Sequence, residues 1–253
     1  EAGGHGVLKG GSAWMPDNQI NGVDFVLPFR FSEGAWQLGT RGPISLRIAE
    51  VVNQVTVKNI AADLQGAYPW SENNPLLLSD VSADLLGGKI IMQQLRMPQH
   101  DPALLRVQNI SSSELISAVN PKQFAMSGPV SGALPLWLDN EKWIIKDGWL
   151  TNPGPMTLRI DKDTADAVVK DNMAAGAAIN WLRYMEISHS WTKINLDNLG
   201  VLTMQSTVTG NSRVDGKVGT VNLNYTLEEN GFTLWRSLRF GDNLQAWLEQ
   251  NAA

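Results

Sequence analysis

At 253 residues and 27.7 kDa, with 43% hydrophobic and 18% charged residues, the chain can bury a sizeable core and lacks the composition of a disordered protein. A net charge of -5 and a pI near 5.2, with no cluster of Lys or Arg, exclude a broad nucleic-acid footprint. The absence of cysteine removes disulfides, thiolate metal sites and cysteine nucleophiles, and leaves the compartment open.

The chain opens with "EAGGHGVLKGG", which has neither the basic nor the apolar region of a signal peptide. Starting at Glu1 rather than Met, it reads as a trimmed part of a longer protein, so that any anchor or signal would lie upstream. No run approaches the roughly 20 apolar residues that span a bilayer.

"DFVLPFRF" alternates Phe25, Leu27, Phe29 and Phe31, and Pro28 marks an edge or bulge because it cannot donate to a ladder. "ISLRI", "QVTVKNI" and "AADLQGAY" continue the strand pattern. In "DVSADLLGGKIIMQQLRM" a two-residue turn at Gly87-Gly88 pairs Leu86 with Lys89, Leu85 with Ile90 and Ala83 with Met92. That register places Ala83, Leu85, Ile90 and Met92 on one face, with Ser82, Asp84, Lys89 and Gln93 on the other.

"SSELISAV", Ser112 to Val119, reads as one or two helical turns. "SGALPLWL" puts Leu134, Leu136 and Leu138 on one face. Turns at Asp139-Asn140 and Asp147-Gly148 then give a β-meander, which "NPGP" breaks before "MTLRI". Asp163 caps an expected helix in which Val169, Met173, Ala177 and Trp181 recur every fourth residue.

"VLTMQSTVTG" sets Leu202, Met204 and Val208 against Thr203, Gln205 and Thr207, and "TVNLNYTLE" sets Val221, Leu223, Tyr225 and Leu227 against Asn222, Asn224 and Thr226. Asp215-Gly216 joins the two as a hairpin. A short C-terminal helix begins at Asp242, with Gln245 completing a capping box and Leu244, Trp247 and Leu248 as its apolar stripe.

So much antiparallel sheet with so little helix leaves an apolar face that must be covered. A second sheet is the ordinary cover; closure into a barrel, a partner chain or a bound apolar ligand are the alternatives.

Motifs for chemistry are missing. His5, His100 and His189 have no sequence spacing to a second His or carboxylate that suits a metal site or catalytic pair. There is no G-x-S-x-G, P-loop or complete G-x-G-x-x-G. "DKDTAD", Asp161 to Asp166, lacks the loop of an EF-hand and reads as an acidic helix start. The reading is therefore of a protein that is not an enzyme and needs no metal or cofactor. Of ten tryptophans, most read as core filling, while Trp235 and Trp247 suit docking of another molecule.

These residues also carry a family resemblance. "VSADLLGGKI" resembles the strand-GG-strand signature of AsmA-like proteins. "VSGALPLWLDNEKWIIKDGWLTNPGPMTLRI" resembles a block of the YdbH family, and the ending from "NWLRYMEIS" to "SLRFGDNLQAWLEQ" is similar to that family's C-terminal region. The family also bears a dicarboxylate-transport label, for which the chain offers no Arg or Lys cluster.

The resemblance implies a mainly β fold, in which a long, highly curved antiparallel sheet forms an open, taco-like groove with one or two short amphipathic helices. It implies a single elongated unit over 1–253, with a sub-boundary near 120–130. It further implies a periplasmic segment of an inner-membrane-anchored phospholipid transporter reaching the outer membrane. The groove lining would be Leu85, Ile90, Met92, Leu134, Leu136, Leu202, Met204, Val221, Leu223 and Tyr225. The partners would be phospholipid and a small outer-membrane lipoprotein of the YnbE type, added as a strand. A closed β-sandwich that binds a partner by strand addition without carrying lipid is the competing reading.

Overall fold

Residues that alternate apolar and polar along the chain pair with their sequence neighbours, because an antiparallel hairpin is the least costly way to satisfy the backbone of adjacent strands. A computed structural model describes residues 2–15, 18–32, 34–52, 55–119, 124–163, 183–214 and 217–229.

Strands β1 (Ala2–Met15), β2 (Asn18–Ser32), β3 (Ala35–Leu38), β4 (Ile44–Val52) and β5 (Val57–Tyr68) open the sheet. β6 (Leu76–Leu85), β7 (Gly88–Met97) and β8 (Ala103–Ser111) follow, then helix α1 (Ser112–Val119). β9 (Phe124–Ser127), β10 (Pro129–Leu136), β11 (Trp143–Thr151) and β12 (Met156–Ile160) form the next section, and β13 (Tyr184–Asp197), β14 (Leu202–Val214) and β15 (Lys217–Glu229) end it.

All fifteen strands belong to one antiparallel sheet. β3 and β4 lie end to end between β2 and β5, and β9–β10 and β11–β12 are likewise two kinked rungs. The spatial order therefore follows the chain order. Among the described residues β1 pairs only with β2 and β15 only with β14, so the sheet does not close. β8 pairs with β10 from Ser111↔Pro129 to Ala103↔Leu136, with a register shift between Val130 and Gly132.

The ladders are interrupted at identifiable residues. Asn59, Asp80, Asn109 and Asp147 take positive φ (51°, 48°, 51° and 58°) within strands, and the pairing register shifts beside Asn59, Asp80, Asn109 and Asp147. These are β-bulges, which bend and coil a strand, and Asn and Asp tolerate the left-handed region best among residues with a side chain. The amides displaced by two of them find side-chain acceptors: Asn109 N–H donates to Ser131 Oγ (2.9 Å) and Asp147 N–H to Asn195 Oδ1 (2.8 Å).

Several expectations are corrected here. The hairpin register is Leu85↔Gly88, Asp84↔Lys89, Ala83↔Ile90 and Val81↔Met92, so the turn residues are Leu86 and Gly87, both at positive φ (49° and 74°). That is the backbone of a type I′ turn, whose twist matches the flanking strands. Asp147-Gly148 makes no turn, since β11 runs through it as a bulge. Pro28 lies in a strand paired on both sides, at the gap between the β4 pairing, which ends at Asp24↔Arg47, and the β3 pairing, which begins at Phe29↔Leu38. "QVTVKNI" and "AADLQGAY" contribute to one strand, β5. α1 forms as expected, with the Glu114 N–H donating to Ser111 Oγ (3.3 Å) as an N-terminal cap. The helices expected after Asp163 and from Asp242 fall outside the described residues.

Candidate functional site: an apolar track across the strands

Because residues directly opposite in an antiparallel ladder share a face, the pairing register identifies what each face carries. One file runs Ile44–Leu64–Leu78–Leu95 across β4 to β7. A second runs Ala103–Leu136–Ile145–Leu196–Leu202 across β8 to β14. Leu136 joins them, packing against the cluster of Met92, Leu95, Met97 and Ala103 and also against that of Ile145, Ile194, Leu196 and Leu202. The result is a continuous apolar track over nine rungs, about 40 Å at the ordinary strand spacing.

Beside it, Met92 stands opposite Leu105, and Leu105 opposite Leu134. Gly148 and Ile194 carry this file on to Met204. A third cluster, Met156, Ile160, Met185 and Ile187, lies toward the other end of the strands. Between the second and third clusters the apolar face is interrupted, because Thr192 and Ser206 stand opposite each other and hydrogen-bond through their hydroxyls at 2.9 Å. The apolar face thus carries a polar band, whose hydroxyls bond each other.

The expected lining residues distribute along these files. Met92 and Leu202 are buried, while Leu85, Ile90, Leu134, Leu136 and Met204 are half-buried. The revised hairpin register differs from the expected one by two residues in total, so Ala83, Leu85, Ile90 and Met92 still share a face. Val221, Leu223 and Tyr225 occupy register positions opposite Gly210, Val208 and Ser206. Leu138 leaves the track, standing 59% exposed in the loop after β10. Trp235 and Trp247 fall outside the described residues. Pattern reading missed Leu64, Leu95, Leu105, Leu196 and Ile194 as track residues, although the same period-two alternation marks each of them.

The opposite face is polar. Arg47 pairs with Asp63 (3.8 Å), Lys89 with Asp84 (3.9 Å) and Lys193 with Asp147 (3.5 Å), all with substantial solvent exposure. A recess on this face beside the hairpin, lined by Lys58, Asp84, Lys89, Gln108 and Glu114, balances two lysines against two acids. Trp149 stacks on Trp191 with ring centroids 4.8 Å apart on the same side. Of the tryptophans whose burial is described, Trp36, Trp70 and Trp191 are exposed and Trp137, Trp143 and Trp149 are half-buried. Large rings at wet boundaries keep their N–H hydrated, which a strand-only core cannot offer.

Histidine 100 does meet a carboxylate, its Nε2 lying 2.8 Å from Glu72 Oε1, a contact that 28 residues of separation hide from sequence spacing. Both side chains are 61% exposed, so the pair is a solvated surface contact. Among the described residues no group of three or more His, Asp or Glu is placed to hold a metal ion, and no helix is long and apolar enough to cross a membrane. What the surface can do chemically is shield hydrocarbon along one face while keeping the other in water.

Comparison with known proteins agrees in one direction. The family model described as "YdbH-like: Intermembrane phospholipid transport protein YdbH" matches residues 1–253. The chain is 82% identical over 251 residues to the "Probable phospholipid transport protein YdbH" of Escherichia coli (strain K12), a match covering 99% of this chain and 29% of that protein. The chain thus spans less than a third of the length of this curated relative. No solved structure matches.

Proposed function

Since the chain belongs to the YdbH-like family, we propose that it is a periplasmic segment of an intermembrane phospholipid transporter, offering its apolar track to lipid acyl chains between the inner and outer membranes. The observation that carries this reading is the file from Ile44 to Leu202 on one face of a sheet that does not close. A sealed sandwich has no use for such a face without a second sheet on it.

The magnitudes suit the task. At about 0.8 kcal/mol per methylene, hydrating one sixteen-carbon chain costs on the order of 12 kcal/mol, and a two-chain lipid about twice that. An apolar face removes most of that barrier without any residue-specific chemistry. One leaflet's chains span about 15 Å, half of the hydrocarbon thickness of a bilayer, so a track of about 40 Å accommodates chains lying along it.

The β8–β10 pairing, which joins the strands before and after α1 in one sheet, supports treating residues 1–253 as one elongated unit of a longer, inner-membrane-anchored protein. The side of β15 away from β14, which pairs with no strand among the described residues, suits the addition of a strand from a small outer-membrane lipoprotein, since an edge strand presents a row of amides and carbonyls.

The test is lipid content. Full-length protein purified without detergent should carry phospholipid detectable by mass spectrometry, and Leu136→Glu, at the junction of the two apolar clusters, should strip most of it. A lipid-free wild-type protein, or a variant that retains its full complement, contradicts the reading.

A further inference from the structure

The file that starts at the Gly87 hairpin changes character at β13. Ala83, Ile90, Val107, Gly132 and Leu150 stand opposite one another in turn across β6, β7, β8, β10 and β11. The next rungs replace hydrocarbon with hydroxyl: Leu150 faces Thr192 on β13, and Thr192 faces Ser206 on β14. Tyr225 takes the following register position on β15. Ile194 and Leu196, on the same face of β13, are buried in an apolar cluster, so the hydroxyls belong to the apolar face.

Counting donors separates this pair from its neighbours. A hydroxyl has one proton to give and two lone pairs that receive. Ser190, two residues from Thr192 on that face, donates its proton to Asn152 Oδ1 (2.9 Å), and Asn152 spends its own amide on Gly154 O (2.9 Å) and Ser188 O (3.2 Å). Those donors are used up. Thr192 and Ser206 share a single hydrogen bond of 2.9 Å, in which one hydroxyl gives and the other receives. The receiving hydroxyl keeps its own proton, and no acceptor for it is present among the described residues. Both residues are half-buried, open enough to be reached.

On a wet face water accepts that proton. Once acyl chains cover the face, water leaves, and a hydroxyl without an acceptor becomes costly. The acceptor must then come from the lipid. Acyl chains carry none, and the first polar atoms reached from the chains of a diacyl lipid are the carbonyl oxygens of its esters. A carboxylate fits less well, because Lys193, the lysine of β13, lies on the opposite face and pairs with Asp147 (3.5 Å). Hydrocarbon has room on both sides of the pair. The cluster of Ile145, Ile194, Leu196 and Leu202 lies toward one strand end, and that of Met156, Ile160, Met185 and Ile187 toward the other.

We propose that Thr192 and Ser206 form a binding site for the ester carbonyl of a diacyl lipid whose chains lie on the flanking apolar clusters. The inference rests on the lipid-track reading and adds to it one fixed position at which the glycerol esters are held.

The experiment uses full-length protein carrying a photo-crosslinking residue at Met204, two residues from Ser206 on the same face, or at Leu105, in the hydrocarbon part of the track. Each is offered an equimolar mixture of diester phosphatidylethanolamine and its diether analogue, which has the same chains and headgroup but no carbonyl. At Met204 the diester should be captured over the diether by about three- to ten-fold, the worth of one hydrogen bond, and at Leu105 the two should be captured equally. Thr192→Val with Ser206→Ala should abolish the preference at Met204 while adducts still form, and Thr192→Ser, which keeps both hydroxyls, should retain it. Melting temperature reports whether the double variant is folded, and the contrast between Met204 and Leu105 needs no loss of either hydroxyl. Equal capture at Met204, the same preference at Leu105, a preference that survives the double variant, or displacement of the diester by stoichiometric palmitate overturns the ester site alone. No adducts at either position overturn the track and the site together.

Discussion

Leu134 occupies the space that a side chain on Gly148 would take: a methyl group there would stand 2.8 Å from Leu134 Cδ2, 3.1 Å from Ile145 Cγ2 and 3.3 Å from the Ile194 carbonyl oxygen. The glycine thus lets one leucine bridge β10 and β13 over β11, keeping the apolar file continuous. Gly148→Ala should overpack this point and cost about 1–3 kcal/mol in urea unfolding. In a Leu134→Ala background the same change should cost less by about 1 kcal/mol, which a double-mutant cycle reads directly.

The two glycines of the hairpin have different reasons to be there. Gly87 needs positive φ and packs beside the flexible Glu114 carboxylate, whereas a methyl on Gly88 would stand 2.4 Å from Gln108 O and 2.5 Å from Asn109 O, both rigid backbone. Gly88→Ala should therefore destabilise more than Gly87→Ala, for which the left-handed conformation costs about 1–2 kcal/mol. Thermal or urea unfolding of the pair ranks them.

Bulge residues should respond to backbone preference rather than to lost contacts. Asn109 sits at φ 51°, so Asn109→Gly should leave stability within about 0.5 kcal/mol, and Asn109→Val should cost about 2 kcal/mol because a β-branched residue resists that region. Equal losses in the two variants, measured by equilibrium unfolding, would contradict the assignment.

Floor and lining should separate. Leu196 is 2% exposed, so Leu196→Ala should cost about 2–5 kcal/mol of stability. Leu134 is half-buried, and Leu134→Gln should cost less while removing more bound phospholipid. Parallel measurements of melting temperature and lipid content distinguish the two roles.

Much of this was legible from period two alone. The face of Ala83, Leu85, Ile90 and Met92 survives a wrong turn assignment because a slip of two residues preserves every side chain's face. Asp147-Gly148 misled for a physical reason: Asp followed by Gly signals a positive φ, which serves a hairpin turn and a mid-strand bulge equally. Leu138 alternates with Leu136 in sequence, but nothing in that alternation reveals that the strand ends at Leu136. The polar band at Thr192 and Ser206 also escaped notice, since it arises only once β13 and β14 are in register. Long-range neighbours such as His100 and Glu72 carry no local signature at all.

The outer edge of β15 supplies a test of partner docking. Val214 stands opposite Lys217, so residues from Lys217 onward alternate between bonding β14 and directing their amides away from it, the latter including Asn222 and Asn224. Asn222→Pro with Asn224→Pro removes two outward donors and leaves the β14 ladder in place. Copurification of the proposed lipoprotein partner should fall sharply; unchanged recovery would reject docking at this edge.

The most direct measurement of the central claim compares the two faces within one section of the sheet. A photo-crosslinking residue is placed at Leu134 or Met204 on the apolar face and at Trp149 or Gln205 on the polar one, in full-length protein in cells. The account predicts phospholipid adducts at Leu134 and Met204 and none at Trp149 and Gln205. Adducts on both faces alike, or on the polar face alone, would contradict it.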